Sequence, residues 1–502
     1  MITESFRPLA AIAVSLFAAA LIIIFGEKVK PNVREAITIT ASVIKAAFVF
    51  SMVPAVLAGK EYYCELWEIV DGISLAFRTD GAGMVFACIA SGLWIVTSIY
   101  SIGYMRGHDE KNQTGYFAAF AVCLSSAIGI AFAANLITFF IFYEMLTIAT
   151  YPLVSHYRND SAKASGRKYL AYTLISGQLF FAAIAAIYFI YGTVDFTAGG
   201  FIEAGSMPAK LMLVLFVLMI GGGAVKAGVM PLHGWLPSAM VAPTPVSALL
   251  HAVAVVKAGA FCVLRVVCYV FGPEAAGWCG GSKVLSWLAV CTIILSSCIA
   301  MRKDNLKARL AFSTIGQLSY IVLGISVLAP FSILGAVFHI VAHAFLKITL
   351  FMCAGAIYVT THLSEISSMS GLSRRMPVTA TCFTAASLGI AGLPLLAGFV
   401  SKMNIIRGAF LAGQPLFVAT LVAAALLALS YLIPVVRIFF GRKVTSPALQ
   451  EKGEASKAML IPIVITAVVS FVLGVMPNAA LHLYDFAAMA AEAIAQGGGP
   501  IA

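Results

Sequence analysis

Charge is what this sequence of 502 residues has least of: 11% of it is Asp, Glu, Lys or Arg, against 61% hydrophobic residues. A soluble domain carries about 25% charged residues, so a chain built mainly for contact with water is excluded and a membrane protein is indicated. Paired cysteines are missing as well. None of the ten cysteines forms a C-x-x-C motif, and eight (Cys88, Cys123, Cys262, Cys268, Cys291, Cys298, Cys353 and Cys382) fall in apolar stretches, where a thiol acts as a small hydrophobe. No zinc or iron–sulfur site, no other cofactor and no required disulfide is therefore expected. Alternating segments of about ten residues, the mark of a membrane barrel, are absent too. The first apolar stretch, 8–26, lacks a clear small-residue cleavage site and a basic flank beyond Arg7, so it is read as a first helix rather than a signal peptide.

What is present is a series of apolar runs, each near the roughly 20 residues that cross a hydrocarbon core about 30 Å thick. They lie near 8–26, 36–58, 82–103, 115–132, 135–154, 169–191, 211–241, 244–270, 284–300, 310–329, 331–358, 377–406, 414–440 and 458–476. The expected fold is an all-α polytopic membrane protein of about 14 transmembrane helices, embedded in a lipid bilayer. The net charge of +11 does not point to nucleic acid. Its distribution tests the span count, because Lys and Arg collect on the inner side of membrane proteins. Connections after spans 1, 3, 5, 9, 11 and 13 hold nineteen Lys/Arg, whereas the other side with both termini holds six. Both termini are thus expected on the outer side, periplasmic if the membrane is a bacterial or archaeal inner membrane.

Seven basic residues and one acid remain inside the spans: Lys45, Lys226, Lys257, Arg265, Lys347, Lys402, Arg437 and Glu144. Each costs about 2.5–3.5 kcal/mol at a helix centre and marks a hydrated path, a pair, or a chain snorkelling to the interface. Arg265 and Arg437, near span ends, are expected to snorkel. Lys45 is open to the same reading and has no assigned role.

Two spans carry Gly/Pro interruptions with a lysine nearby. The first, VKAGVMPLHGWLP at 225–237, holds Pro231, His233 and Pro237; the second, IAGLPLLAGFVSK at 390–402, holds Pro394. Pro231 and Pro394 are 163 residues apart, and the five-helix blocks around them start 169 apart, near 115 and 284. An odd number of helices per block makes the second run opposite to the first, an inverted repeat with its site at the breaks. The expected organisation is 1–110 (helices 1–3), 111–275 (first repeat, helices 4–8), 276–442 (second repeat, helices 9–13) and 443–502 (helix 14 and tail).

A lysine alone at lipid depth gives up its proton readily, and an approaching carboxylate makes it hold on. Glu144 and Lys226 are candidates for such a modulating pair, with a static salt bridge as the rival. His251 and Lys257 follow six residues apart, about 240° around one helix, which suits two neighbouring water chains better than one contact. His339, His343 and Lys347 stand at i, i+4 and i+8 on one face. Imidazole both donates and accepts, which suits a proton relay. A metal at His339/His343 lacks further ligands nearby, a haem lacks a marked second axial ligand, and a plain interhelical hydrogen bond stays open. Ser313, Thr314, Gln317 and Ser319 are available partners in either case. Lys402 closes the series, with snorkelling as its rival.

VKAGVMPLHGWLPSAMVAPTPVSALLHAVAVVKAG (225–259), HIVAHAFLKITLF (339–351) and GIAGLPLLAGFVSKM (389–403) resemble the antiporter-like proton-translocating subunits of complex I, Mrp antiporters and membrane-bound hydrogenases. The resemblance covers roughly 80–440. It implies two inverted repeats. It also implies Glu144 and Lys226 as the modulating pair, Lys257 with His251 as central relay, His339, His343 and Lys347 as its continuation, and Lys402 at the exit. Length and the lysine at 402 look most like the Mrp D-type subunit. The implied partners are other membrane subunits of an Mrp-like, hydrogenase or complex I-like assembly. H⁺ is the implied cargo, with Na⁺ left open. The rivals from other classes are a stand-alone solute:proton transporter, active by itself, and a structural scaffold.

Overall fold

The computed structural model describes residues 2–70, 72–444, 446–451, 453–479 and 481–497, with the side chains of 250–252 outside that description. Helices α1 (Arg7–Phe25) and α2 (Pro31–Leu57) form a first hairpin, and α3 (Gly81–Gly107) and α4 (Gln113–Phe132) pack onto it. Next come α5 (Leu136–Val154), α6 (Asp160–Tyr191) and α7 (Ala209–Ala227). Asn135 and Asn159 start α5 and α6 by accepting from the backbone N–H of Thr138 and Ala162, both at 2.8 Å, which satisfies donors the first helical turn leaves free. After a break, α8 (Trp235–Ser238) is a single turn, and α9 (Thr244–Ala252) and α10 (Val255–Arg265) follow. A π-helical stretch, Val266–Phe271, joins α10 to α11 (Gly272–Trp278).

The remainder comprises α12 (Gly281–Met301), α13 (Leu306–Ser326), α14 (Pro330–Thr361) and α15 (Leu372–Arg375). Then come α16 (Pro377–Ala391), α17 (Ala397–Leu411), α18 (Pro415–Phe439), α19 (Lys457–Val475) and α20 (Leu483–Gly497). Among the described residues thirteen helices, with α10–α11 taken as one, are long and apolar enough to cross a membrane. Beside them stands α16, a shorter apolar helix that is followed by α17 after a break around Pro394. The all-α polytopic class stands.

Burial sorts these helices. The most apolar windows of α10–α11, α13 and α14 are 94–100% buried, whereas those of α1, α6, α18 and α19 are 39% buried. The rim helices turn large apolar side chains outward, among them Phe17, Phe189, Leu426 and Phe471, as lipid contact requires. The centre is where lipid and bulk water are farthest away. It is also where Lys257, His339, His343 and Lys347 sit, all at most 1% exposed.

One element is additional to the helices. Strands β1 (Ile2–Glu4), β2 (Glu61–Val70) and β3 (Ile73–Arg78) form a small sheet, with β1 parallel to β2 and β2 antiparallel to β3. Alternation in EYYCELWEIV and the Asp71-Gly72 dipeptide are a hairpin signal in the sequence. The connection between the second and third spans is thus an ordered cap.

Arg265 does not snorkel: it is 2% exposed and its guanidinium donates to both Asp80 oxygens, at 2.5 and 2.9 Å. The same carboxylate caps α3 by accepting from Gly83 N–H at 2.7 Å, and Tyr269 flanks the cation at 4.4 Å. A buried charge has to be paired, and the partner here lies 185 residues away in sequence. Arg265→Ala leaves the carboxylate unpaired and is expected to cost about 3–5 kcal/mol, measured as a lower unfolding midpoint of the detergent-solubilised protein. Lys45 does not snorkel either. It is fully buried, with its ammonium 4.6 Å over the Trp94 ring. Arg437, in the last turn of α18, is exposed, as expected.

Candidate proton path

The break after α7 begins at Gly228, whose φ of +70° is a left-handed conformation that glycine adopts without steric penalty. Residues 228–234 then run as an irregular segment containing Pro231 in a cis peptide. Its backbone is satisfied from outside: Met230 N–H donates to Thr292 Oγ1 on α12 at 3.0 Å, and Trp235 Nε1 donates to the Val225 carbonyl at 2.7 Å. Pro237 lies within the single turn of α8, where a missing N–H removes no helical bond. His233 is half-buried, 6.2 Å from the Phe312 ring, and stands apart from the buried lysines and histidines of the other spans.

Lys226, in the last turn of α7, is fully buried. Its Nζ donates to the Tyr143 carbonyl at 2.6 Å and sits 3.2 Å from the centre of the Tyr143 ring. Glu144, the next residue of α5, forms no ion pair with it. The two are close enough for their charges to interact, but neither carboxylate oxygen of Glu144 has a hydrogen-bond partner. That carboxylate rests against Gly177 of α6, where an added Cβ would stand 2.3 Å from Oε1. The static salt bridge is therefore not what this arrangement holds.

The eighth span does not run as one helix. Val253 and Ala254 leave helical geometry between α9 and α10, so the 240° separation of His251 and Lys257 around a continuous helix does not apply. The His251 side chain lies outside the described residues. Lys257, three residues into α10, contacts His343 Nδ1 on α14. Among the described residues no side-chain hydrogen bond joins Lys226 to Lys257. There α7 and α10 meet backbone to backbone, with Gly259 so close that an added Cβ would stand 2.3 Å from Ala227 N.

From His343 the line continues along α14. The His339 and His343 rings are 6.1 Å apart, and His339 Nδ1 shares a hydrogen bond with Ser401 Oγ at 2.8 Å. Tyr320 lies beside His339, ring centres 5.8 Å apart, and Lys402 Nζ stands 4.6 Å over the same tyrosine. Lys402 is 4% exposed and donates at 2.5 Å to the Ile390 carbonyl, one of those the end of α16 leaves free. It does not snorkel. Lys347 turns elsewhere, to Ser313 Oγ at 2.6 Å and the Leu310 carbonyl at 3.3 Å on α13, and Ser313 bonds the Tyr431 hydroxyl at 2.9 Å. An i, i+4 step leaves about 40° of rotation, so the three side chains of α14 fan across about 80° and reach α17, α10 and α13 separately. Thr314 and Ser319 bond their own helix.

Lys257, His343, His339 and Lys402 are thus brought together; Lys226 with Glu144 stands on one flank and Lys347 on a side branch. Tyr143, Tyr320 and Ser401 were not singled out from the sequence, although each is adjacent to a candidate or one helix away. Among the described residues no group of three or more His, Cys, Asp or Glu is placed to hold a metal ion.

Buried lysines on interrupted spans, gathered around the histidines of an unbroken central helix in a polytopic bundle, mark a membrane transport subunit. The family described as "NADH:quinone oxidoreductase/Mrp antiporter, TM" matches residues 133–428, more than half of the chain, and the chain belongs to it. It is 27% identical over 482 residues to NADH-quinone oxidoreductase subunit N of Desulforudis audaxviator, covering 93% of this chain and 95% of that one. It is 31% identical over 420 residues to a probable K⁺/H⁺ antiporter subunit of Rhizobium meliloti, covering 82% of this chain but 41% of that one. The chain therefore spans less than half the length of this second relative. Its fold matches a chain of the membrane-bound sulfane sulfur reductase, an archaeal respiratory membrane complex, with a TM-score of 0.84 at 23% identity, over 98% of this chain and 99% of that one.

Proposed function

We propose that this chain conducts protons as a membrane subunit of a multi-subunit cation/proton antiporter or redox-driven pump. The observation that carries the reading is the Lys257–His343–His339–Ser401 line, which crosses from α10 to α14 to α17 in the most buried part of the bundle and ends beside Lys402. In this reading Glu144 sets the proton affinity of Lys226, water joins Lys226 to Lys257 and His251, and Lys402 releases at the break next to Pro394. The break at Pro231, His233 and Pro237 opens the first half, and Lys347 serves as a reservoir beside the main line. Residues 111–275 and 276–442 act as two inverted repeats, each with its own interruption. The nineteen-to-six division of Lys/Arg supports both termini on the outer side of a bacterial or archaeal cell membrane. The relatives support partners from an Mrp-like, hydrogenase or complex I-like assembly, with H⁺ as cargo and Na⁺ as a second candidate.

The test uses the whole complex in proteoliposomes, with flux read by an entrapped pH dye after an imposed ion gradient. His339→Ala is expected to lower proton flux by about a hundredfold while the complex assembles normally. A scaffold would instead lose stability and keep its flux, and a stand-alone transporter would be active without its partners.

A further inference from the structure

A second cluster of titratable groups lies apart from that line, at the end of α3 on the Lys/Arg-rich side. Glu110, in the 108–112 connection, has a side chain only 5% exposed, although the loop itself is at the surface. His108 Nδ1 approaches its Oε1 at 3.0 Å, His156 Nε2 approaches Oε2 at 3.7 Å, and the Tyr157 hydroxyl donates to Oε1 at 2.7 Å. Burial pushes the Glu110 carboxyl up, but the His156 and Tyr157 side chains and the charge of His108 outweigh it and hold it below the usual range. Lys307, at the start of α13, also faces this carboxylate while donating to the Ala242 carbonyl at 2.8 Å.

The cluster has an outside and an inside. Outside, a cavity of about 320 Å³ reaches His156 and Tyr116 between Arg158 and Lys163, large enough to hold water beside the largely buried imidazole. His108, 26% exposed, gives a second contact with solvent. Inside, Tyr157 meets the Tyr104 side chain, and Thr244 Oγ1 lies 3.5 Å from the Tyr104 hydroxyl. Thr244 opens α9. One turn further along that helix is Ser247, fully buried, with no partner for its hydroxyl. Beyond the next turn comes the Val253–Ala254 break and then Lys257. Side chains that each carry a proton donor and acceptor on one atom thus run from the Glu110 carboxylate through Tyr157 and Tyr104 to Thr244, and Ser247 stands one turn further toward Lys257.

We propose that Glu110, with His108 and His156, is a proton-uptake port, and that Tyr157, Tyr104, Thr244 and Ser247 pass protons from it to Lys257. A proton from solvent lands on the carboxylate or an imidazole. It moves to the Tyr157 oxygen as that hydroxyl releases its own proton to Tyr104, and the same exchange repeats to Thr244; water beside the unpartnered Ser247 hydroxyl carries it on to Lys257, where an ammonium forms. Rotation of each hydroxyl resets the chain, and no net charge stays on any oxygen. The port rests on the proton route proposed above and adds where that route is filled.

The whole complex in proteoliposomes tests it, with Glu110→Gln, Glu110→Asp, Tyr157→Phe, Tyr104→Phe and Lys257→Met compared in H₂O and D₂O. Glu110→Gln and Tyr104→Phe are expected to slow proton flux by about a hundredfold, with a larger solvent isotope effect in Tyr104→Phe. Glu110→Asp is expected to restore most of the rate, which a merely structural carboxylate would not do selectively. Wild-type rates in Glu110→Gln, Tyr157→Phe and Tyr104→Phe alongside an inactive Lys257→Met overturn the port and leave the route standing. Normal flux in Lys257→Met overturns the route itself. If Glu110→Gln does not assemble, the two phenylalanine variants, which keep the ring packing, decide.

Discussion

Lys226→Met is expected to abolish coupled proton flux and to raise the unfolding midpoint of the protein. Both halves follow from one arrangement. The Lys226 ammonium is fully buried, forms no ion pair with Glu144, and donates to a backbone carbonyl of α5 while lying over an aromatic ring. A cation at lipid depth costs about 2.5–3.5 kcal/mol, and a carbonyl with a ring face offsets only part of that. Methionine fills the same volume without the charge, so the fold is relieved. The proton-binding nitrogen is gone, however, and flux should fall by at least about a hundredfold. Flux assayed in proteoliposomes and a thermal melt of the same preparation separate the outcomes. Unchanged flux removes Lys226 from the route. Lost flux with a lower midpoint makes it a structural residue.

Lys257→Met and His343→Ala are each expected to stop transport, and the double variant to be no worse than either single one. Lys257 and His343 touch across α10 and α14, and in the proposed route both serve the same transfer step. Removing either end of one step removes all of it, so losses in a double-mutant cycle do not multiply. Multiplied losses would mean two parallel paths. The single variants also test whether Lys347 lies on a side branch: its hydrogen bonds run to α13, so Lys347→Met should slow flux without stopping it.

The sequence was legible wherever the physics is local. Spans follow from hydropathy, and breaks at Pro231 and Pro394 from a missing N–H and glycine flexibility. A lysine within an apolar run announces itself. What could not be read depends on which helix meets which. Asp80 and Arg265 are separated by five complete spans and part of a sixth, and the position of Arg265 near a span end carries no sign of its distant partner. The α9–α10 break has neither glycine nor proline at Val253 and Ala254, and no local signal marks it. The pairing of β2 with β3 is a different case: alternation and the Asp71-Gly72 dipeptide mark it locally, but one such segment makes no barrel and sits below a signal dominated by apolar spans. On α14, equal spacing gave one face, whereas the 40° drift per step sent three side chains to three neighbours.

The α14 helix runs without interruption over 32 residues, about 48 Å at 1.5 Å per residue, between partners that are broken at α9–α10 and α16–α17. The jointed segments can flex by themselves; the rod between them cannot. A small roll of α14 would move His339, His343 and Lys347 as one body, loosening the grip on Lys257 in the same instant that it alters those on Ser401 and Ser313. Such a shaft works like a camshaft: loading at one end and unloading at the other are timed by rotation, and no signal has to be relayed residue by residue.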